Sequence, residues 1–202
     1  MKHKKFDTRS LVLIGVLGAI LLVMSFTPLG YLNIGPLAIS LNMIPVGIAA
    51  VALGPVAGAI LGGIFGITSF LQCLGIGGVS AMGVILFDIS PVLAFVQRFV
   101  PRVLAGLLAG LVYRGAGKLM GRSVAAFVTG FCAALLNTVL FMLSLVLLFG
   151  NTEYLQGLIG GRNIIVFICA FVGVNAVVEM LAATFAVGLV GKALEKANLL
   201  RR

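Results

Sequence analysis

Residues 90–113 read SPVLAFVQRFVPRVLAGLLAGLVY, a stretch of hydrocarbon whose only charges are Arg98 and Arg102. It opens like a helix, with Ser90 placed to cap and Pro91 at the first helical position, where no N–H is needed. The apolar run matches the ~20 residues that a helix needs to cross a bilayer core. Arg98 and Arg102 stand four residues apart and therefore share one face of that helix. Holding a cation at such depth costs at least ~2.5–3.5 kcal/mol on insertion scales. Charges retained there call for a polar interior, which in a small membrane protein is most often a pathway or a substrate site.

The rest of the chain has the same character. It has 202 residues, of which 61% are hydrophobic and 9% charged, with 27 glycines and a mean hydropathy of +1.25. That composition places it among integral membrane proteins. A net charge of +9 suggests nucleic acid at first sight, but the cations cluster at the termini and in short loops beside apolar segments. This is the positive-inside pattern and not a phosphate-binding face. Cys73, Cys132 and Cys169 are odd in number and lack C-x-x-C spacing, and His3 is the sole histidine, so neither disulfides nor an embedded histidine metal site is indicated. Lys2, Lys4, Lys5 and Arg9 precede the apolar run 11–26 as they would in a signal peptide. The run is long for that role and no A-x-A site follows, so it reads as a retained first helix.

Six spans follow from hydropathy and turn residues, making an all-α integral membrane protein whose residues 1–202 form one domain. The first span covers 10–27, followed by an uncharged outer loop, 28–40, with Gly30, Gly35 and Pro36. The second, 41–53, is short and contains Pro45. After the Gly54-Pro55 turn the third runs to Cys73, and a glycine-rich connection, 75–90, carries Asp88. The fourth extends from Pro91 to Tyr113, the fifth covers 123–149 and the sixth 163–191. Basic residues in tail 1–9, at Arg114, Lys118 and Arg122, and in tail 192–202 all fall on one side, which makes both termini cytoplasmic.

Depth shows which embedded polar residues belong together. At ~1.5 Å per residue, Arg102 lies ~18 Å above Arg114 and Glu179 ~20 Å above Lys192; Arg98, Asn137, Asn175 and Gln72 fall at ~22–26 Å above their own inner ends. Asn175 and Glu179 form a second i, i+4 pair, and Ser69 and Asn42 lie near the same layer. The inner half is nearly free of polar side chains apart from hydroxyls. A continuous pore would be lined along its full depth, so the pattern describes a cup open to the outside. Arg102 with Glu179 also fits a structural ion pair, Asn137 and Asn175 fit interhelical hydrogen bonding, and Arg98 fits snorkelling to the interface or contact with Asp88 or an anionic ligand.

Small residues form a second pattern. Gly58, Gly62 and Gly66 recur at four-residue spacing, as do Ala105 with Ala109 and Gly106 with Gly110, a device that lets helix backbones approach. Gly15 and Ala19 are spaced alike in the inner half of the first span, where a smooth patch suits docking of a partner protein. No phosphate loop, G-x-S-x-G or H-E-x-x-H motif occurs, so ATP hydrolysis and common hydrolase chemistry are not expected in this chain. With no visible inverted repeat it fits a secondary transporter poorly. A solute binder without a motor reads as one subunit of a larger machine.

The motifs Ile44-Pro45-Val46, Gly54-Pro55-Val56-Ala57-Gly58-Ala59, Phe65-Gly66-Ile67-Thr68-Ser69-Phe70 and Val100-Pro101-Arg102-Val103-Leu104-Ala105-Gly106, in that order, together with the small-residue first span, resemble the substrate-binding S-components of energy-coupling factor (ECF) vitamin transporters. The likeness covers nearly the whole chain and is nearest to the branch of pantothenate binders. It implies a six-helix bundle in the plasma membrane of a prokaryote that captures a vitamin from outside. The implied partners are a transmembrane coupling subunit and two cytoplasmic ATPases that use the ATP, with no cofactor in this chain. It also implies that Gly15 and Ala19 face the coupling subunit, that the outer loops cover the site, and that the protein topples in the membrane to release its cargo. Glycine stands at the first small position where alanine is usual. The substrate-site candidates are Asn42, Ser69, Gln72, Arg98, Arg102, Asn137, Asn175 and Glu179. A self-sufficient small-solute transporter or channel, and a non-transporting membrane scaffold, are the alternative readings.

Overall fold

The computed structural model describes residues 7–33, 38–197 and 200. Lys2, Lys4, Lys5, Arg201 and Arg202, with His3, Gly35 and Pro36, lie outside the described residues. Helix α1, Thr8–Phe26, starts where the Asp7 carboxylate accepts the Ser10 N–H at 3.0 Å. Strands β1 (Tyr31–Asn33) and β2 (Ala38–Ser40) then pair antiparallel, with Tyr31 opposite Ser40. Helix α2, Met43–Leu53, is followed at once by α3, Pro55–Leu71, and a 3-10 turn, Gln72–Leu74. Next come α4 (Ala81–Ile89), α5 (Pro91–Met120), α6 (Arg122–Phe149), α7 (Glu153–Ile159) and α8 (Ile164–Lys196).

Among the described residues, five segments are long and apolar enough to cross a membrane: Thr8–Phe26, Pro55–Leu74, Pro91–Met120, Arg122–Phe149 and Val172–Lys196. The expected second span is the exception. At 11 residues α2 is ~16 Å long, about half of a bilayer core. Nine of its residues are buried, because it is enclosed by α3, α5, α6 and α8.

The expected cap holds, with Ser90 Oγ accepting the Leu93 N–H at 3.4 Å and Pro91 at the first helical position. Other boundaries move. Helix α5 continues past Tyr113 to Met120, and only Gly121, at φ 80°, separates it from α6. Gly115 and Gly117 weaken a helix by ~1 kcal/mol each but do not stop one. Arg114, Lys118 and Arg122 therefore sit on helix ends, and Lys192 and Lys196 on the last turns of α8, where loops and a tail were expected. The outer connections also carry structure of their own. The loop 28–40 holds the hairpin, which adds six strand residues to an otherwise helical bundle, 75–90 holds α4, and 150–162 holds α7.

The seam between α3 and α5 is built from glycine. A Cβ on Gly58 would strike the Gly106 carbonyl oxygen, one on Gly106 would strike that of Gly58, and one on Gly62 would strike that of Arg102. Ala105 and Ala109 are fully buried at the same seam. Gly130 meets the Ala183 carbonyl in the same way between α6 and α8. Lipid tails supply no hydrophobic drive for helix association, so this backbone-to-backbone packing is what holds the helices together.

Among the described residues three apolar clusters result, and the two larger ones frame the site. One gathers Leu17, Leu21, Val46, Ala50, Ala57, Leu61, Phe65, Ala105 and Ala133; the other gathers Met82, Leu86, Ala94, Met142, Leu145, Phe149 and Leu155. Along α5, Ala94 belongs to the second cluster and Ala105 to the first, with Arg98 and Arg102 between. Along α6, Asn137 lies between Ala133 and Met142 in the same way. A polar layer thus separates two apolar ones.

Candidate substrate-binding site

Within that layer is a cavity of about 600 Å³. Helix α5 brings Arg98 and Arg102 to it, α6 brings Asn137 and Phe141, α8 brings Asn175 and Glu179, and α3 brings Phe65 and Ser69. Gln72 enters from the 3-10 turn, Tyr31 and Ser40 from the hairpin, and Ser80 from the start of α4. Seven of the eight expected residues line one space: Ser69, Gln72, Arg98, Arg102, Asn137, Asn175 and Glu179. Asn42 does not. It is fully buried beside the hairpin, and a Cβ on Gly30 would come within 2.9 Å of its Oδ1.

The two arginines are almost wholly buried, at 7% and 5% exposure. Arg98 donates through Nη1 to Ser69 Oγ at 3.5 Å and through Nη2 to Ser80 Oγ at 3.2 Å. Arg102 donates through Nη1 to the Gln97 carbonyl oxygen at 3.2 Å. Both guanidinium groups lie over the Phe141 ring, at 5.4 Å for Arg98 and 4.6 Å for Arg102, and Arg102 also lies 5.3 Å from the Phe65 ring. Ring faces attract a desolvated cation by ~0.5–2 kcal/mol each, so aromatic faces stand where acidic partners would be expected.

Glu179 accepts the Ser40 N–H at 2.6 Å and so ties β2 to α8. Arg102 and Glu179 are each bonded to a backbone group and not to one another. Asp88 is exposed on α4. Among the described residues neither arginine is hydrogen-bonded to a carboxylate, and Glu179 is the one acid lining the cavity. Two cations and one anion leave the chamber positive.

Among the described residues several polar atoms at the wall have no hydrogen-bond partner: Nε of Arg98 and Arg102, Oδ1 of Asn137, Tyr31 Oη and Ser40 Oγ. Burial pushes the Tyr31 phenol above its usual value, opposed by Arg102 and Arg98, which leaves it a protonated donor at neutral pH. Native interiors leave few such groups unpaired, so a concentration of them around a cavity points to a polar ligand. Among the described residues no cluster of three metal-binding side chains occurs.

Sequence reasoning missed Tyr31, Ser40, Phe65, Ser80 and Phe141. Phe141 follows Asn137 by four residues and Phe65 precedes Ser69 by four, so both were within reach of the helical-face argument. Tyr31 and Ser40 arrive through strand pairing and a loop path that no periodicity marks.

Gly15 and Ala19 do not line this cavity: both are exposed on α1, and a Cβ on Gly15 would meet nothing within 4 Å. Gly18 is buried, and a Cβ there would touch Ile64.

The family described as "ECF transporter, substrate-specific component" matches residues 9–191. The pantothenic acid transporter PanT of Lactococcus lactis subsp. cremoris is 27% identical over 96% of this chain and 98% of its own length. The pantothenate transporter PanT of Leuconostoc mesenteroides subsp. mesenteroides is 29% identical over 93% of this chain and 92% of its own.

Proposed function

The chain belongs to the substrate-specific components of ECF transporters, multi-pass proteins of the bacterial cell membrane, and from that premise we propose that it captures pantothenate for an ATP-driven vitamin importer. The observation that carries the reading is the pair of buried arginines without an acidic hydrogen-bond partner. A guanidinium holds a carboxylate through two parallel hydrogen bonds, which supplies the missing anion and fixes its orientation. Tyr31, Gln72, Asn137 and Asn175 offer donors and acceptors to hydroxyl and amide groups, which pantothenate also carries. The cavity volume is in the range of ordinary small-molecule sites.

In this reading residues 1–202 form one membrane domain, with α2 as a shortened sixth span and both termini cytoplasmic. The arrangement of the ends supports that orientation. Ser25 near the end of α1 bonds Thr68 near the end of α3, so these helices run parallel and start together. Arg114 lies against Gly54 at the start of α3, and Ser123 bonds Glu195. The inner ends of α1, α3, α5, α6 and α8 thus gather beside the cations, the cytoplasmic side by the positive-inside rule. The chain itself catalyses nothing; a coupling subunit and two cytoplasmic ATPases drive uptake.

Titration calorimetry tests the substrate. Pantothenate binds the purified protein roughly ten- to a hundredfold more tightly than its uncharged alcohol, panthenol, the range for one charge-assisted hydrogen bond. Arg98→Lys keeps the charge but loses the bidentate grip and narrows that preference. Equal affinity for both ligands, or far tighter binding of an unrelated vitamin, overturns the substrate assignment. Uptake by proteoliposomes holding this chain alone would overturn the need for ATPase partners.

A further inference from the structure

The residue before Arg102 is Pro101, and it lies inside α5, which continues as helix on both sides. In an uninterrupted helix the N–H of residue 101 would bond to the carbonyl of residue 97. Proline has no N–H, so the Gln97 carbonyl is left without its helical partner. Gln97 is fully buried, where water cannot take over. The bond from Arg102 Nη1, at 3.2 Å, goes to this same carbonyl.

Long helical side chains lean back toward the N-terminus, which is the direction Arg102 follows to reach residue 97. One donor is spent on that carbonyl, and the plane is held over Phe65 and Phe141. Arg102 Nε has no hydrogen-bond partner among the described residues. Arg98 is held differently, by the rotatable hydroxyls of Ser69 and Ser80.

We propose that Pro101 is a positioning residue for the anion end of the cavity: by withholding an N–H it leaves the Gln97 carbonyl to Arg102 and fixes that guanidinium before the ligand arrives. The inference rests on the reading of the cavity as a carboxylate site. A donor already fixed in place loses less freedom on binding, so the gain falls on the carboxylate and not on the remainder of the ligand. In Pro101→Ala the restored N–H competes with Arg102 for the Gln97 carbonyl and draws it back into the helical ladder, so the anchor on Arg102 weakens while α5 gains a helical bond.

The test compares pantothenate and panthenol on the full-length wild type, Pro101→Ala, Arg102→Gln and the double variant. Pro101→Ala is expected to weaken pantothenate by about tenfold, the net worth of one hydrogen bond, and to leave panthenol unchanged. In the Arg102→Gln background the same change shifts neither ligand. A loss of both ligands in parallel would assign Pro101 a general role in helix shape, and undiminished pantothenate binding would also overturn the proposal. Absence of a preference in the wild type counts against the carboxylate reading before any variant is considered. Nitrogen-15 NMR of the ligand-free arginines then still decides the anchor: guanidinium rotation at Arg102 is slow in the wild type and faster in Pro101→Ala, and equal rates refute it.

Discussion

Glu179 illustrates how one side chain can serve two ends at residue scale. It is 9% exposed, it carries the cavity's acidic charge, and it accepts the Ser40 N–H that holds the hairpin to α8. Glu179→Gln removes the charge but retains an oxygen for that N–H, whereas Glu179→Leu removes both. Thermal unfolding should therefore rank Leu below Gln below wild type, with the Leu variant losing ~1.5–3 kcal/mol, the range for a charge-assisted hydrogen bond. Glu153→Gln, on the exposed face of α7, should match wild type. Equal stability of Glu179→Leu and wild type would show that the contact holds nothing. The residues of this layer were legible because burying Arg98, Arg102 or Glu179 in lipid is costly enough to demand a shared interior, and helical rise alone placed them at one depth. How they pair was not legible. The natural expectation, Arg102 with Glu179, gives way to Gln97 and Ser40 because a backbone carbonyl freed by proline and an N–H at the end of β2 compete for the same charges.

At the scale of elements, the glycines divide into two kinds that sequence spacing cannot separate. Gly62 faces the backbone of α5, where an added Cβ meets the Arg102 carbonyl, while Gly115 lies exposed on the inner end of α5 with nothing within 4 Å. Gly62→Ala must push two helix backbones apart, a strain of ~1–3 kcal/mol, and it moves the element that presents Arg102. Gly115→Ala should instead stabilise by ~0.5–1 kcal/mol, the ordinary helix-propensity gain. Thermal melts of both variants check the contrast, and a stable Gly62→Ala with unaltered ligand binding would refute the seam. The long helices were legible from hydropathy and from the Ser90-Pro91 start. The small outer elements were not: α4 and α7 span nine and seven residues inside loops, and the hairpin depends on pairing across residues whose pattern carries no period. Their caps, Ser80 on Gly83 and Thr152 on Leu155, were the available signals.

For the whole molecule, the cavity and the outer face of α1 have separate structural bases. The cavity is assembled by α3, α5, α6, α8, the hairpin, the start of α4 and the C-terminal end of α1, where Ser25 and Phe26 line it, whereas Gly15 and Ala19 lie exposed further back on α1 amid Leu11, Val12, Val16 and Ile20. The face contributes no side chain to the cavity, and Gly15 has open space where a Cβ would project. A smooth strip on a helix surface permits close approach of another helix, and in the proposed complex that helix belongs to the coupling subunit. Gly15→Trp or Ala19→Trp should therefore leave pantothenate titration and thermal stability of the isolated protein within error of wild type. In proteoliposomes that also hold the coupling subunit and ATPases, the same variants should lose ATP-driven uptake, because the bulky ring stands between two backbones. Retained uptake would mean that docking uses another face, and parallel loss of binding would mean that the exposed face of α1 bears on the cavity as well. Only binding without uptake separates capture from coupling in the proposed complex, because Gly15 and Ala19 lie exposed on α1 and do not line the cavity.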